Sequence, residues 1–393
     1  SVNTWLKNLA KIRQMHSVRN KLKIPRYYDV GVNITDAMFS GIYHGRQHHR
    51  NDTIDVLKKA YKHHVKNILL TGSSLEESRK TMEIIQSLQN LEGIPILKST
   101  IGVHPCTVME FEENGQDPSK HLENLKQLLE YGIELDLVRA FGEIGLDYDR
   151  LHYTPMDKQL LYFEKQLHLA TNFNLPLFLH MRNSIDDFIK TLYPFLSNKL
   201  LPNENLLVHS FTGNTEELEK LLNLEARTGY RIFISINGAG LRDLSTLDII
   251  NKIPLDRLMI ETDSPWCEVK KTHPSYKYLQ KSPNMFYPDD DENYELVTEK
   301  PEIKDLLTKF SQNKKNPKGS IITLFEFLPI PIVKSDKFDN FKYTHLFVDS
   351  PLIKSRNEPC LIGLVAQVIC QLRDESPEDI IDACYNNSML VFT

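Results

Sequence analysis

Five side chains able to bind a metal or move a proton stand at the downstream ends of five short apolar runs, spread over more than half of the chain. Asp29 closes Tyr27-Tyr28-Asp29, Glu143 follows Val138–Gly142, His180 ends Leu175–His180, His209 ends Leu206–His209, and Asp263 follows Leu258–Thr262. Imidazoles and carboxylates gathered in one place are what a divalent cation requires. Glu143, His180, His209 and Asp263 together could hold one or two such ions. A bound ion polarises an ester oxygen and lowers the pKa of water, giving a nucleophile near neutral pH.

Residues so far apart in sequence meet only if the fold brings them together. Apolar runs of four to eight residues read as buried parallel strands. We read strands at 27–32, 65–71, 96–102, 138–143, 175–180, 205–209, 231–236 and 258–262. Amphipathic stretches lie between them, marked by Ile54, Leu57, Ala60, Tyr61 and His64, by Leu160, Phe163, Leu167 and Ala170, and by Leu218, Leu221 and Leu222. Eight such units predict an α/β fold, a (β/α)8 TIM barrel, whose strand ends converge on one cavity. A doubly wound open sheet is the alternative, but it would not bring all these strand ends to one pocket. The glycine-rich segment Gly142–Tyr148 allows close backbone approach to an ion or substrate, or else forms a tight strand-to-helix turn.

After Asp263 the rhythm breaks. Residues 270–350 read as a long insertion after the eighth strand, packed beside the barrel mouth. It contains the acidic run Asp289–Glu292, the turn-like stretch Gln312–Gly319, and two apolar pieces, Ile321–Phe327 and Tyr343–Phe347. Helical patterning returns at Cys360–Arg373 and Pro377–Leu390. The organisation expected is a basic N-terminal extension, 1–26, followed by a single barrel domain, 27–393. The extension holds seven basic residues and no acid, with Trp5, Leu6, Leu9, Ile12 and Met15 at helical spacing. It reads either as a solvated helix or as a mitochondrial import segment.

Composition excludes some classes. The chain has 393 residues, 41% hydrophobic and 25% charged, with a formal charge of −5. No global positive field draws it to a polyanion, so a nucleic-acid partner needs a local basic patch or a bound cation. Five cysteines without a Cys-x-x-Cys pair argue for a reducing compartment, cytoplasmic or nuclear. No apolar run approaches a membrane span. Just beyond Asp263, Lys270, Lys271, Lys277 and Lys281 interleave with His273, Tyr276 and Tyr278, a pattern suited to a phosphate backbone and unpaired bases or to an ordinary charged loop. His48-His49 and His63-His64 read as exposed or helical, and Cys106 as structural.

Read in order, Asp29–Asn33, Gly102-Val103-His104-Pro105, Gly142–Tyr148, His180-Met181-Arg182, His209–Gly213, Glu261-Thr262-Asp263-Ser264-Pro265 and Arg356-Asn357-Glu358-Pro359 resemble the TatD family of metal-dependent deoxyribonucleases. The resemblance runs from about residue 27 to 392, interrupted by the insertion. It implies an amidohydrolase-like barrel that hydrolyses DNA phosphodiesters, often as a 3′–5′ exonuclease, with a divalent metal held by Glu143, His180, His209 and Asp263. Many members carry His-x-His on the first strand. Gly31 and Asn33 stand there in this chain, so one metal position should be weakly held, with Asn33 and Asp29 as its remaining oxygen donors.

The activating metal expected is Mg2+ or Mn2+, with Zn2+ as the alternative that imidazole favours. Glu143 would bridge or position the ions, and Asp263 would also accept the proton of the attacking water. His104 would contact the phosphate or protonate the leaving oxygen, or is a hydrogen-bonded turn residue. Arg182 is a candidate to grip a phosphate, or else pairs with a nearby acid; Asp147 and Arg356 are candidates for contact with substrate or with the metal ligands. Two other readings keep the same barrel. One is an amidohydrolase or aminoacyl-tRNA deacylase, the other a non-enzymatic interaction protein with a vestigial site. DNA is the expected partner and no membrane association is expected; the sequence names no protein partner.

Overall fold

Strands rich in Val, Ile, Leu and Phe bury both faces, so they pair in parallel under a coat of helices. The computed structural model describes residues 23–288, 300–312, 323–343, 346–347 and 349–393. Eight strands pair in chain order: β1 (Tyr27–Val32), β2 (Val65–Leu70), β3 (Ile96–Ile101), β4 (Val138–Asp147), β5 (Leu177–Arg182), β6 (Asn205–Val208), β7 (Arg231–Ile236) and β8 (Leu258–Ile260). The first and last meet at their downstream ends, where Asp263 N donates to Gly31 O and Asn33 N to Ser264 O, each at 2.9 Å. This is the (β/α)8 TIM barrel expected from the strand rhythm.

Helices α1 (Thr53–Lys62), α2 (Leu75–Leu88), α3 (Pro118–Glu134), α4 (Met156–Ala170), α5 (Ile185–Ser197) and α6 (Thr215–Thr228) follow β1 to β6 in turn. Each buries one stripe. On α1 the stripe is Val56, Leu57 and Ala60, whereas Ile54 and Tyr61, expected inside, are exposed. Further on come α7 (Pro301–Gln312), α8 (Ile362–Leu372) and α9 (Pro377–Phe392). Val391 and Phe392 of α9 close the barrel floor against Tyr28, Val30, Leu69, Ala140, Phe178, Leu207, Phe233 and Met259.

Two strand boundaries differ from expectation. β4 does not turn at its glycines but runs on to Asp147, and β5 ends at Arg182 rather than His180. The pairing jumps from Gly142↔Phe178 to Ile144↔Leu179, so Glu143 is the extra residue of a β-bulge. Glycine is required here. A β-carbon on Gly142 (φ +154°) would lie 2.1 Å from Phe178 O, and one on Gly145 (φ +148°) 1.9 Å from His180 O.

Between β8 and α8 lie α7 and a small sheet of Thr323–Leu324, Pro331–Val333 and Leu352–Ile353. This region runs along the flank of α1. His48 Nδ1 meets Ser335 Oγ at 2.7 Å, Arg50 N donates to Asp339, and Lys62 and His63 both pair with Asp349. The N-terminal amphipathic pattern, Asp289–Glu292 and most of Gln312–Gly319 lie outside the described residues. Among the described residues no helix is long and apolar enough to cross a membrane.

Candidate metal centre

Side chains two apart on a strand share a face. Above the floor residue Phe178, β5 therefore presents His180 and then Arg182. Above Leu207 comes His209; above Phe233 come Ser235 and Asn237; above Met259 come Glu261 and Asp263. The bulge adds Glu143 to the same level from β4, with Asp147 above it. One cup thus collects its polar residues in layers, as barrel interiors do.

Glu143 is the hub. Its Oε1 lies 2.5 Å from His209 Nε2, 2.9 Å from His180 Nδ1 and 3.4 Å from His104 Nε2. The far nitrogens of two of these rings also face carboxylates. His180 Nε2 is 2.8 Å from Asp147 Oδ2, and His209 Nδ1 is 3.2 Å from Glu261 Oε2. Glu261 is in turn held by Ser235 Oγ and Asn237 Nδ2, both at 2.8 Å. Asp263 accepts from Asn33 Nδ2 at 2.9 Å and from Cys267 Sγ at 3.4 Å.

The electrostatics follow from burial and crowding. Burial works to raise the Glu143 carboxyl, but His209, His104 and His180 overcome it and hold it well below the usual range. Burial would lower His209, yet Glu143 and Glu261 push it well above an ordinary imidazole. His104 is pushed down to about 4 by burial, so its ring is neutral at pH 7. Asp263 is pushed up to about 7 by burial and by the neighbouring Glu261.

Four carboxylates, Glu143, Asp147, Glu261 and Asp263, crowd a cup with three imidazoles. The arginines nearby, Arg150 and Arg182, sit on its rim against Asp147 and Asp149. Such a site is short of positive charge, and a divalent cation supplies it. Two groups have ligand atoms within 4.8 Å of one another: His104, Glu143 and His180, and His209, Glu261 and Asp263. Mixed nitrogen and oxygen donors fit Zn2+, Mn2+ or Fe2+, and the oxygen-rich second group also fits Mg2+.

Three sequence-based assignments change. Asp29 lies outside both groups. Its carboxylate is fully buried and engaged by Thr262 N (3.0 Å), Thr262 Oγ1 (2.6 Å) and Gly31 N (3.3 Å), so it braces the strand that carries Asp263. Asn33 turns its amide nitrogen, not its oxygen, to Asp263; it orients that carboxylate rather than a metal. Arg356 does not reach the cup. Its guanidinium is buried in a forked pair with Asp52 at 2.7 and 2.6 Å and lies over the Phe39 ring.

Other candidates land in or near the cup. Asp147 bonds His180, and Arg182 holds Asp149 on the rim at 3.0 Å. His104 accepts the Cys106 N–H on Nδ1 at 3.0 Å, which leaves Nε2 facing Glu143. In the basic stretch after Asp263, Tyr276 is taken up by Glu326 and Phe327, not left free for stacking. His48, His49 and His63 bond Ser335, Tyr43 and Asp349, away from the cup. None of the five cysteines forms a disulfide. Two functional residues escaped the sequence reading. Glu261 was findable from its spacing two residues after Met259 and two before Asp263. Asn357 was not, because its role is to donate to Thr262 O (3.1 Å) and Trp266 O (2.9 Å), seen only in the fold.

Barrel and cup together define a metal-dependent hydrolase of the amidohydrolase-like class. Known proteins narrow this further. Residues 28–290 match the family described as TatD related DNase. "Deoxyribonuclease Tat-D" of Saccharomyces cerevisiae is 34% identical over 93% of this chain and 91% of its own. A "3′–5′ ssDNA/RNA exonuclease TatD" from a Rahnella species is 31% identical over 61% of this chain and 78% of its own. The crystal structure of an uncharacterized amidohydrolase from S. cerevisiae superposes with a TM-score of 0.75 at 33% identity, over 94% of this chain and all of that one. The chain belongs to the TatD related DNase family, whose members are hydrolases acting on ester bonds.

Proposed function

We propose that this protein is a divalent-cation-dependent deoxyribonuclease that removes nucleotides from the 3′ end of single-stranded or frayed DNA. The observation that supports it best is Glu143 Oε1, shared by three imidazoles within one cup that also holds Glu261 and Asp263. The printed names of the relatives supply the substrate class, and the bacterial one the polarity. Residues 27–393 act as one hydrolase unit, with 270–350 an insertion on its flank. Five cysteines without a disulfide suit a reducing compartment, cytoplasmic or nuclear.

His180, His209, Glu143 and Asp263 would hold the cation, with Glu261 bracing His209, and the ion would be Mg2+ or Mn2+ for activity, with Zn2+ the tighter imidazole partner. A bound divalent ion polarises a phosphoryl oxygen and acidifies nearby water. Asp263, oriented by Asn33 and Cys267, accepts the proton as water attacks phosphorus. His104 presents Nε2–H to the phosphate or leaving oxygen. Arg182, two residues past His180, exchanges Asp149 for a substrate phosphate and grips it with two donors.

The test is nucleotide release from 3′- and 5′-labelled single strands, with EDTA and metal add-back, run beside amino-acid release from charged tRNA. Metal-dependent shortening from the 3′ end, lost in His180→Ala and Asp263→Asn, supports the reading. Deacylation without DNA cleavage, or cleavage equal in both variants, overturns it.

A further inference from the structure

Two large aromatic side chains stand open on loops at the barrel mouth. Trp266, three residues past Asp263, is 49% exposed, and Tyr153, six past Asp147, is 61% exposed. Their strands, β8 and β4, are four places apart in an eight-strand ring, so the two loops rise from opposite walls of the cup.

Single exposed apolar rings are ordinary on protein surfaces. Trp266 differs in its backbone. Its N–H donates to Asp263 O at 3.0 Å, its carbonyl accepts from the buried Asn357 side chain at 2.9 Å, and Pro265 O accepts from Asn357 N at 3.0 Å. The Trp266 backbone is thus fixed to the segment that carries the candidate general base, while its indole is half-exposed. Across the mouth, the Tyr153 ring lies against His152 with centroids 4.2 Å apart. Cations flank both: Lys270 and Lys271 follow Trp266 and are exposed, and Arg150 precedes Tyr153. Flat rings beside cations, on either side of the cup, match an unpaired nucleic-acid strand, whose bases stack while its backbone follows positive charge. Paired bases keep their faces stacked on each other and offer none.

We propose that Trp266 is a base-stacking platform that determines preference for single strands, with Tyr153 its counterpart on the opposite wall. This rests on the nuclease reading above. Tyr276 and Tyr278, which the sequence pattern favoured, are not the platform. One is held by Glu326 and Phe327, and the other is packed against the core under Lys277.

The test compares 3′-labelled oligo-dT with the same oligomer carrying abasic sites in place of its last two bases. Wild-type protein should prefer the intact strand. Trp266→Ala should erase about 10-fold of that preference in kcat/KM, the size of one lost stack, while Trp266→Phe keeps most of it. Tyr153→Ala should erase part. In a Trp5→Phe background Trp266 is the remaining tryptophan of the two. Its fluorescence should be quenched by a phosphorothioate oligo-dT and not by the abasic strand. Wild-type cleavage with an unchanged preference in Trp266→Ala, or absent quenching, overturns the platform and leaves the nuclease reading standing. Failure of wild-type protein to cut the strand overturns both.

Discussion

A β-carbon on Gly31 would lie 3.0 Å from Glu261 Oε2. Glu261 therefore fills the space that a side chain from β1 would need, at the first position of the family's His-x-His pattern. Glu261 is fixed by Ser235, Asn237 and His209, so it cannot yield freely. Gly31→Ala should then displace Glu261 from His209 and reduce metal affinity and kcat by about 10-fold or more, as loss of a ligand's supporting carboxylate does. Titration calorimetry with Mn2+ and steady-state kinetics check this. An alanine variant with unchanged kcat and affinity would show that Glu261 is not needed where it stands.

Glu143→Gln removes the charge that three imidazoles share. The amide offers one neutral oxygen where the carboxylate charge was shared. Metal affinity and activity should both fall by about 100-fold or more. Thermal stability in EDTA should change far less than activity, and differential scanning fluorimetry beside the kinetics separates the two effects.

Much of this was legible in the chain because barrels repeat. Each strand gave an apolar run, and each functional side chain came at its end. Glu143, His180, His209 and Asp263 could be read that way without coordinates. The failures have physical causes. Glycines at 142 and 145 look like a turn, yet they permit a bulged strand to pass close to Phe178 and His180. Glu261 was hidden beside Asp263, because strand spacing alone does not say which of two inward acids binds and which supports. Arg356 read as a candidate for substrate contact because its true partner, Asp52, is 304 residues away.

The Arg356–Asp52 pair makes its own forecast. Both side chains are wholly buried, and Glu358 joins them to Lys59. Breaking one partner of such a pair costs about 3–5 kcal/mol, because the other charge stays buried alone. Arg356→Met should lower the urea midpoint by a corresponding amount while KM for DNA stays near the wild-type value in folded protein. A raised KM with unchanged stability would return Arg356 to the substrate.

Asn357→Ala should damage stability and catalysis together. Its two donors serve the carbonyls of Thr262 and Trp266, either side of Asp263. Leaving the buried Thr262 carbonyl and the part-buried Trp266 carbonyl without their donor costs about 2 kcal/mol. The loosened loop should also reduce kcat/KM by roughly 10-fold, in line with loss of a supporting hydrogen bond at a metal site. Urea denaturation and kinetics on the same preparation test both halves. A stable variant with full activity would mean the loop is fixed by other contacts.

Asp29 sets a pH dependence of stability. Burial pushes its carboxyl up to about 8, against hydrogen bonds from Thr262 and Gly31, with Glu261 adding its charge. In an unfolded chain an aspartate titrates near about 3.9. Between these values the folded protein holds a proton that the unfolded chain has lost. Raising pH through this window therefore favours unfolding: the stabilisation is full below about 4 and gone above about 8. An asparagine in its place would mimic the protonated acid. It keeps one oxygen for Thr262 N and Gly31 N and turns an amide to the Thr262 hydroxyl. In EDTA, Asp29→Asn should gain stability relative to wild type as pH rises from 5 to 9, by an amount on the order of a few kcal/mol. Urea midpoints across that range measure it. Parallel curves for the two proteins would mean that Asp29 is ionised in the folded state throughout, and that its bonds to Thr262 outweigh the cost of burying its charge.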